Sequence, residues 1–238
     1  MEPYFFQGIV LPERAQLSLQ FSLKFGHVHS GKQASARVSV VLNQVAVWID
    51  TDDEWNVVDL RNVVNNIVRP HLDMLGFLLG HAYDLSITRV VNRERGVDYV
   101  FGIDTPCISP AAEKLDVEAE LLKLRDKTIG PNGIYLNRCF GDLVSAMKHA
   151  DDTAFYCYRA IESLRHHCAV KNGITDDSKS VQWAKFREMA SCDESQVMAI
   201  KTAADGLRHG NPMDSLSYDR AVILTGTWKI VRQYLDAL

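Results

Sequence analysis

Hydrophobic and polar residues alternate strictly through the early part of the chain. Leu17, Leu19, Phe21, Leu23 and Phe25 would point to one side, and Ser18, Gln20, Ser22 and Lys24 to the other. That period of two predicts a strand with one face buried. "HVHSGKQ" supplies a turn, and the valine-rich "SARVSVVLNQVAVWID" stays extended, either as one long strand or as a hairpin through the weak turn signal Asn43-Gln44. From Asp59 the period changes: Leu60, Val63, Val64, Ile67, Val68, Leu72, Leu75 and Leu78 recur at helical spacing. Pro70 has no amide hydrogen, so it should kink this helix unless the helix restarts there. Alternation returns in Tyr83, Leu85 and Ile87 and in Val97, Tyr99, Phe101 and Ile103, with "NRERG" as the turn of a second hairpin.

After "DTPCISPAAEK" the pattern is helical. Ser109 can cap a helix and Pro110 suits its first position, which puts a domain boundary at Pro110. Helices are expected over roughly 111–127, 134–149, 152–171, 178–190, 193–209 and 214–237. "KTIGPNG", "KNG" and "RHGNP" mark helix ends, and "DDT" before Ala154 offers capping side chains and negative charge at a helix start. The expected fold class is α+β: a small β-rich domain with one long helix over 1–110, then an all-α bundle over 111–238.

Composition narrows the function. The 47% hydrophobic share suffices for a core throughout, and the net charge of −4 is spread evenly. The part before the Pro110 boundary carries 9 basic and 12 acidic residues, the part after it 17 and 18. Neither part is a basic nucleic-acid module by charge alone. The five cysteines form no Cys-x-x-Cys pair, so they read as reduced thiols rather than a disulfide framework or zinc ribbon. The N-terminus lacks a basic lead-in and a long apolar run, and "HLDMLGFLLGHAYDL" is interrupted by charge and too short to span a bilayer. A cytoplasmic protein without membrane, metal or cofactor is the expectation.

Two stretches can carry chemistry. In "YRAIESLRHHC", Arg159, Glu162 and His166 form one polar stripe, while Tyr156, Ala160, Ile161, Leu164 and Cys168 supply much of the apolar side. Glu162 can orient His166 or hold Arg159, leaving an imidazole for proton transfer and a guanidinium for an anion. A solvated face laced with ion pairs explains the same spacing, and His167 points away from the stripe. In "LRHGNP", Arg208 can bind phosphate and His209 can move protons near neutral pH. Gly210 and Pro212 also make this stretch an ordinary helix stop. His27 with His29, His71 with His81, and the acidic run Asp50, Asp52, Asp53, Glu54 lack the further ligands of a metal site. Trp183, Phe186 and Met189 at threefold spacing read as a core stripe, and phosphate-loop, dinucleotide and serine-elbow motifs are absent.

The succession "DDTAFYCYRAIESLRHHCAV…WAKFREM…IKTAADGLRHGNP…YDRAVILTGTWKIVRQYL" resembles the HEPN superfamily (higher eukaryotes and prokaryotes nucleotide-binding) over roughly residues 112–238. The likeness rests on a long helix with an A-I-E-x-L core, a later helix closing in Arg/His then Gly, and a final long apolar helix. It implies a helical bundle, usually a homodimer, of a kind many of whose members are metal-independent ribonucleases of toxin and phage-defence systems. In such a site an Arg stabilises phosphate charge while a His moves protons during attack by the 2′-hydroxyl. Arg208 stands in the expected place and His209 in the polar position that follows it, but no histidine lies downstream. The literal spacing match is Arg159 with His166, six residues between, on an earlier helix. The resemblance therefore implies RNA or nucleotide binding or cleavage, with Arg208, His209 and His166 as the catalytic set and Arg159, Glu162 and Asn211 binding substrate. A non-catalytic protein-interaction or scaffolding module is the alternative.

Overall fold

The computed structural model of the chain describes residues 3–26, 30–211, 213 and 218–238. His27, His29 and Pro212 lie outside the described residues. The protein is α+β, and it divides into two compact units, Met1–Ile103 and Asp104–Leu238. Pro110, where the sequence pattern breaks, falls within the second.

The first unit runs β1 (Tyr4–Leu11), β2 (Leu17–Gly26), β3 (Gln33–Leu42), β4 (Gln44–Asp50), α1 (Val57–Leu79), β5 (Asp84–Asn92) and β6 (Val97–Val100). They form an antiparallel six-stranded sheet in the order β2-β3-β4-β1-β5-β6. Strand β1, in the middle of the order, is not predicted by the pattern. Its alternation is masked because Phe5 and Ile9 are apolar on the face opposite the buried Tyr4, Phe6 and Val10. The valine-rich stretch is a hairpin, β3 to β4, in which Leu42 takes the left-handed φ of +57° that glycine ordinarily supplies. One sheet face packs on Leu60, Val64, Ile67, Val68 and Leu72 of α1. β2 is an outer strand, so its Leu19, Phe21, Leu23 and Phe25 are only half covered. Pro70 does not break α1, and one turn earlier the Ile67 carbonyl lies 3.1 Å from the His71 ring nitrogen Nδ1.

The second unit opens with a short 3-10 turn, Ser109–Ala112. It continues as α2 (Val117–Lys127), α3 (Gly133–Lys148), α4 (Thr153–Lys171), α5 (Lys179–Met189), α6 (Glu194–Arg208) and α7 (Arg220–Asp236). The helix expected from 111 starts at Val117, where Asp116 accepts from the Ala119 amide. Ser109 instead turns back, its hydroxyl bonded to both the amide and the carbonyl of Thr105. The last helix starts at Arg220, capped by Asp219, and residues 214–217 of the longer expectation lie outside the described residues. Asp152 makes no side-chain cap on α4. The Thr153 hydroxyl has the Ala146, His149 and Ala150 carbonyls within reach of its one proton and accepts from Arg220 Nε at 2.8 Å.

Helix α4 is the axis of the bundle, packed against α3, α5, α6 and α7. Its Cys157, Ala160, Ile161, Leu164 and Cys168 are fully buried in one core with Leu136, Phe186, Leu224 and Tyr234. No described helix is long and apolar enough to cross a membrane.

Gly8 sits at the register shift between β1 and β5, where an added Cβ would lie 2.6 Å from the Ser86 carbonyl oxygen. A Gly8→Ala variant should lose about 1–3 kcal/mol through forced backbone movement. Urea unfolding monitored by the tryptophans checks this, and an unchanged midpoint contradicts it.

Candidate functional site

The polar stripe expected on α4 divides in the structure. Arg159 turns to α3, where its Nη2 lies 2.8 Å from Asp142 Oδ1, and Arg138 holds the other oxygen at 3.3 Å. Asp142 is buried, so this pair of guanidiniums acts structurally, neutralising a carboxylate beneath the surface. The Arg159 guanidinium also lies over the Phe155 and Tyr156 rings. Glu162 holds neither Arg159 nor His166 by a described hydrogen bond, contrary to both roles expected for it. Its carboxylate does favour protonation of His166 at longer range.

The "RHGNP" stretch is a complete helix stop. Gly210 takes φ +80°, its amide donates to the Leu207 carbonyl, and the Asn211 amide donates to the Gly206 carbonyl at 2.9 Å. These are the two bonds of a Schellman ending. Asn211 accepts from the Met213 amide, a turn contact in place of a ligand contact. His209 is exposed, and its imidazole has no hydrogen-bond partner among the described residues. Arg208 differs from both. Its guanidinium lies 5.1 Å over the ring of Tyr158 on α4, with a loose 3.4 Å ion pair to Asp205, and one third of the side chain is exposed.

Tyr158 extends this contact inward. Its ring stacks on Trp183 of α5, and Trp183 in turn carries the guanidinium of Arg165 at 5.3 Å. Arg165 Nη2 is 2.8 Å from His166 Nε2, and the His166 ring stacks on Tyr135 of α3. The contacts form a ladder across three helices: Arg208, Tyr158, Trp183, Arg165, His166. Burial pushes the Tyr158 hydroxyl up to about 12, with Glu162 adding to the effect.

Arg165 is not among the residues singled out by sequence, although a cation beside Ile161, Leu164 and Cys168 is a visible anomaly. It is only 5% exposed. Among the described residues it meets no carboxylate, and its Nε has no hydrogen-bond partner. Its acceptors are Gln182 Oε1 and His166 Nε2. Gln182 is oriented firmly, because its Nε2 faces the Ile174, Thr175 and Asp177 carbonyls and leaves only Oε1 for Arg165. A guanidinium has no acceptor capacity, so His166 Nε2 must accept and the His166 proton sits on Nδ1. Burial, then Arg165, then Lys179 lower the His166 pKa against the opposing pull of Glu162. The residue as a whole is exposed, but its Nε2 edge rests against the buried guanidinium.

His167 belongs to the core: its Nδ1 is 2.8 Å from the Tyr234 hydroxyl, and burial lowers its pKa. The buried thiols of Cys139 and Cys157 are also raised by burial, Cys157 to about 11, so they are poor nucleophiles. Among the described residues no cluster of three His, Cys, Asp or Glu side chains is placed to hold a metal ion.

The chain is thus a two-unit α+β protein whose helical unit packs around α4 and seals one arginine of that helix inside. It belongs to one family, domain of unknown function DUF8168: residues 4–101 match the model of the family's N-terminal domain, and residues 121–238 that of its C-terminal domain. The two models follow one another along this chain in that order. No curated protein and no solved structure matches it.

Both His166 and His167 resist protonation in the folded state, while the unfolded chain takes the proton near the ordinary value of 6.5. Their contribution to stability is therefore complete above that value and lost as pH falls through the lower folded pKa values. In NMR titration the His166 ring should show a midpoint below 6.5, and Arg165→Gln should raise it. A midpoint at or above the ordinary value in the wild-type protein would contradict the assigned tautomer and bond.

Proposed function

We propose that the helical unit is a HEPN-like RNA-binding module of a bacterial toxin or phage-defence system, and that RNA phosphate meets it on the α4–α6 ladder. The carrying observation is Arg165, a buried guanidinium with an unpartnered Nε and no carboxylate among the described residues. Around it stand the exposed His166, the partly exposed Arg208 and, at longer range, Lys179. A desolvated cation costs several kcal/mol, whereas stacking on an aromatic ring returns about 2 kcal/mol when desolvated. An anion beside the ladder would supply the missing compensation, and phosphate suits planar guanidinium donors.

Cleavage follows from the same site chemistry. His166 is held neutral, with Nε2 engaged by Arg165, and its proton lies on Nδ1. Release of Nε2 as Arg165 turns to a phosphate would free a base that takes the 2′-hydroxyl proton as the 2′-oxygen attacks phosphorus and the P–O5′ bond breaks. The leaving 5′-oxygen takes its proton from water, and Arg208 stabilises the charge that develops on the phosphorus oxygens. His209, which makes no side-chain hydrogen bond among the described residues, is outside this set. Labelled single-stranded RNA without added metal, tested over about pH 5 to 9, separates the roles. Arg208→Ala should weaken binding about tenfold or more. His166→Gln should abolish cleavage with little loss of binding, and His209→Gln should leave both intact. Unchanged RNA affinity together with unchanged cleavage in Arg208→Ala overturns the reading.

A second reading, a protein-interaction module, is favoured by α2, in which no residue is buried and Val117, Leu121 and Leu122 are all more than half exposed. A homodimer joined through this helix should dissociate in the Leu121→Glu, Leu122→Glu variant, as read by sedimentation. A wild-type monomer at micromolar concentration counts against it.

A further inference from the structure

The first unit carries a second, separate arrangement of rings and guanidiniums. Helix α1 covers one face of its sheet, and the hydrogen-bond register aligns the other face into cross-strand rows. One row reads Ser22, Arg37, Trp48, Phe5, Val91, Asp98 from β2 across to β6. At its centre the Phe5 and Trp48 rings are 5.3 Å apart and inclined by 39°, and both residues are only half buried. Arg37 lies 6.0 Å from the Trp48 ring on one side. The next row places Gln7 beside Arg89 on the other side. Asp98 grips Arg89 through Nε at 2.9 Å and Nη2 at 2.7 Å, which fixes the guanidinium plane and leaves Nη1 without a described partner. Two hollows flank Trp48, one of about 760 Å³ reaching Phe5 and Arg89, the other of about 500 Å³ reaching Gln20 and Arg37.

Cations exceed acids on this face by one: Lys24, Arg37 and Arg89 stand against Asp50, 3.8 Å from Arg37 in a loose and exposed pair, and Asp98, while other acids of the unit, Asp52, Asp53 and Glu54, sit in the turn that follows β4. Half-open flat rings between cations suit unstacked bases joined by phosphates: every base has a face to stack, and each linkage carries a negative charge. A duplex keeps its bases stacked on one another and offers nothing for the two rings. A neutral oligosaccharide carries no charge for the cations to meet.

We propose that this face of the sheet is a platform for single-stranded nucleic acid, with bases stacking on Trp48 and Phe5 and phosphates meeting Arg37 and Arg89. The platform is independent of the α4 site and stands or falls separately from it. The test uses the full chain carrying Arg208→Ala, fluorescence anisotropy, and short labelled oligonucleotides in ribose and deoxyribose forms. Trp48→Ala should weaken binding about tenfold or more, and Trp48→Phe should retain most of it. An abasic oligomer of equal charge should bind the unaltered platform far more weakly than the base-bearing one, a comparison that needs no variant of the sheet. Arg37→Gln should reduce the slope of log affinity against log salt by about one. Equal affinity of Trp48→Ala and its parent, equal binding of abasic and base-bearing oligomers, or equal binding of a duplex overturns the proposal. Binding in either sugar form supports it. Loss of all RNA binding on Arg208→Ala alone also overturns it, while leaving the α4 reading intact.

Discussion

Helix α4 has little free surface. Four helices pack on it, so a charged residue placed on it must either find lateral partners or be sealed in at a cost of several kcal/mol. Three of its charged positions meet that constraint differently. Arg159 crosses to Asp142 on α3, Glu162 stays at the partly open edge, and Arg165 is sealed in against an amide, an imidazole and an indole. The ladder of rings and guanidiniums from Arg208 to His166 follows from the third solution. It is built by residues on α4, α5 and α6 whose directions the surrounding packing restricts.

Arg220 shows what a purely structural, half-buried arginine looks like in the same bundle. Its Nη2 donates to the Met147 and Ala146 carbonyls at the end of α3, and its Nε donates to Thr153. Those carbonyls lie at the negative end of a helix, so a cation there is favoured twice, by hydrogen bonds and by the dipole. Removal of Arg220 would take this donor from the Met147 carbonyl and leave the Ala146 carbonyl to the Thr153 hydroxyl, which is sufficient reason for its presence. Arg165 has no such account. Its acceptors are neutral, one of them is a titratable imidazole, and one donor is idle. Burial of charge that the interior does not need is what separates a candidate binding group from a fold-stabilising one.

Much of the architecture could be read from the chain, because period-two and helical spacing act locally. The β-to-α change at Asp59, the second hairpin and the run of helices after Pro110 all rest on such local patterns. What escaped depended on contacts distant in sequence. β1 lies between β4 and β5 and is apolar toward both faces over part of its length, so alternation fails as a signal. The β3–β4 turn uses Leu42 where a glycine would have announced it. Ser109 was legible as a cap, but its hydroxyl satisfies Thr105 behind it, a choice that only the folded turn decides. At the site, Arg208 and His166 were legible as candidates, and the structure brings both into one ladder. Arg159, Glu162, His209 and Asn211 were candidates as well, and the structure leaves them outside it. Spacing on one helix shows which side chains share a stripe, whereas their partners are chosen by α3, α5 and α6.

His209 and Arg165 make opposite cases for how a functional residue should be weighed. His209 is a histidine at a position every neighbour of which serves the helix stop: Gly210 supplies the left-handed turn, Asn211 the second Schellman bond, and a basic ring at the C-terminal end suits the dipole. Local physics accounts for it fully, so its chemistry adds no explanation. Arg165 sits where local physics argues against a cation, beside three apolar neighbours on a helix walled in by four others, and the fold keeps it by committing an indole, a glutamine and a histidine to it. Local packing gives no reason for such a residue, and for a guanidinium that reaches a partly open surface through His166 on one side and Trp183 and Tyr158 on the other, the anion recognition proposed above would supply one.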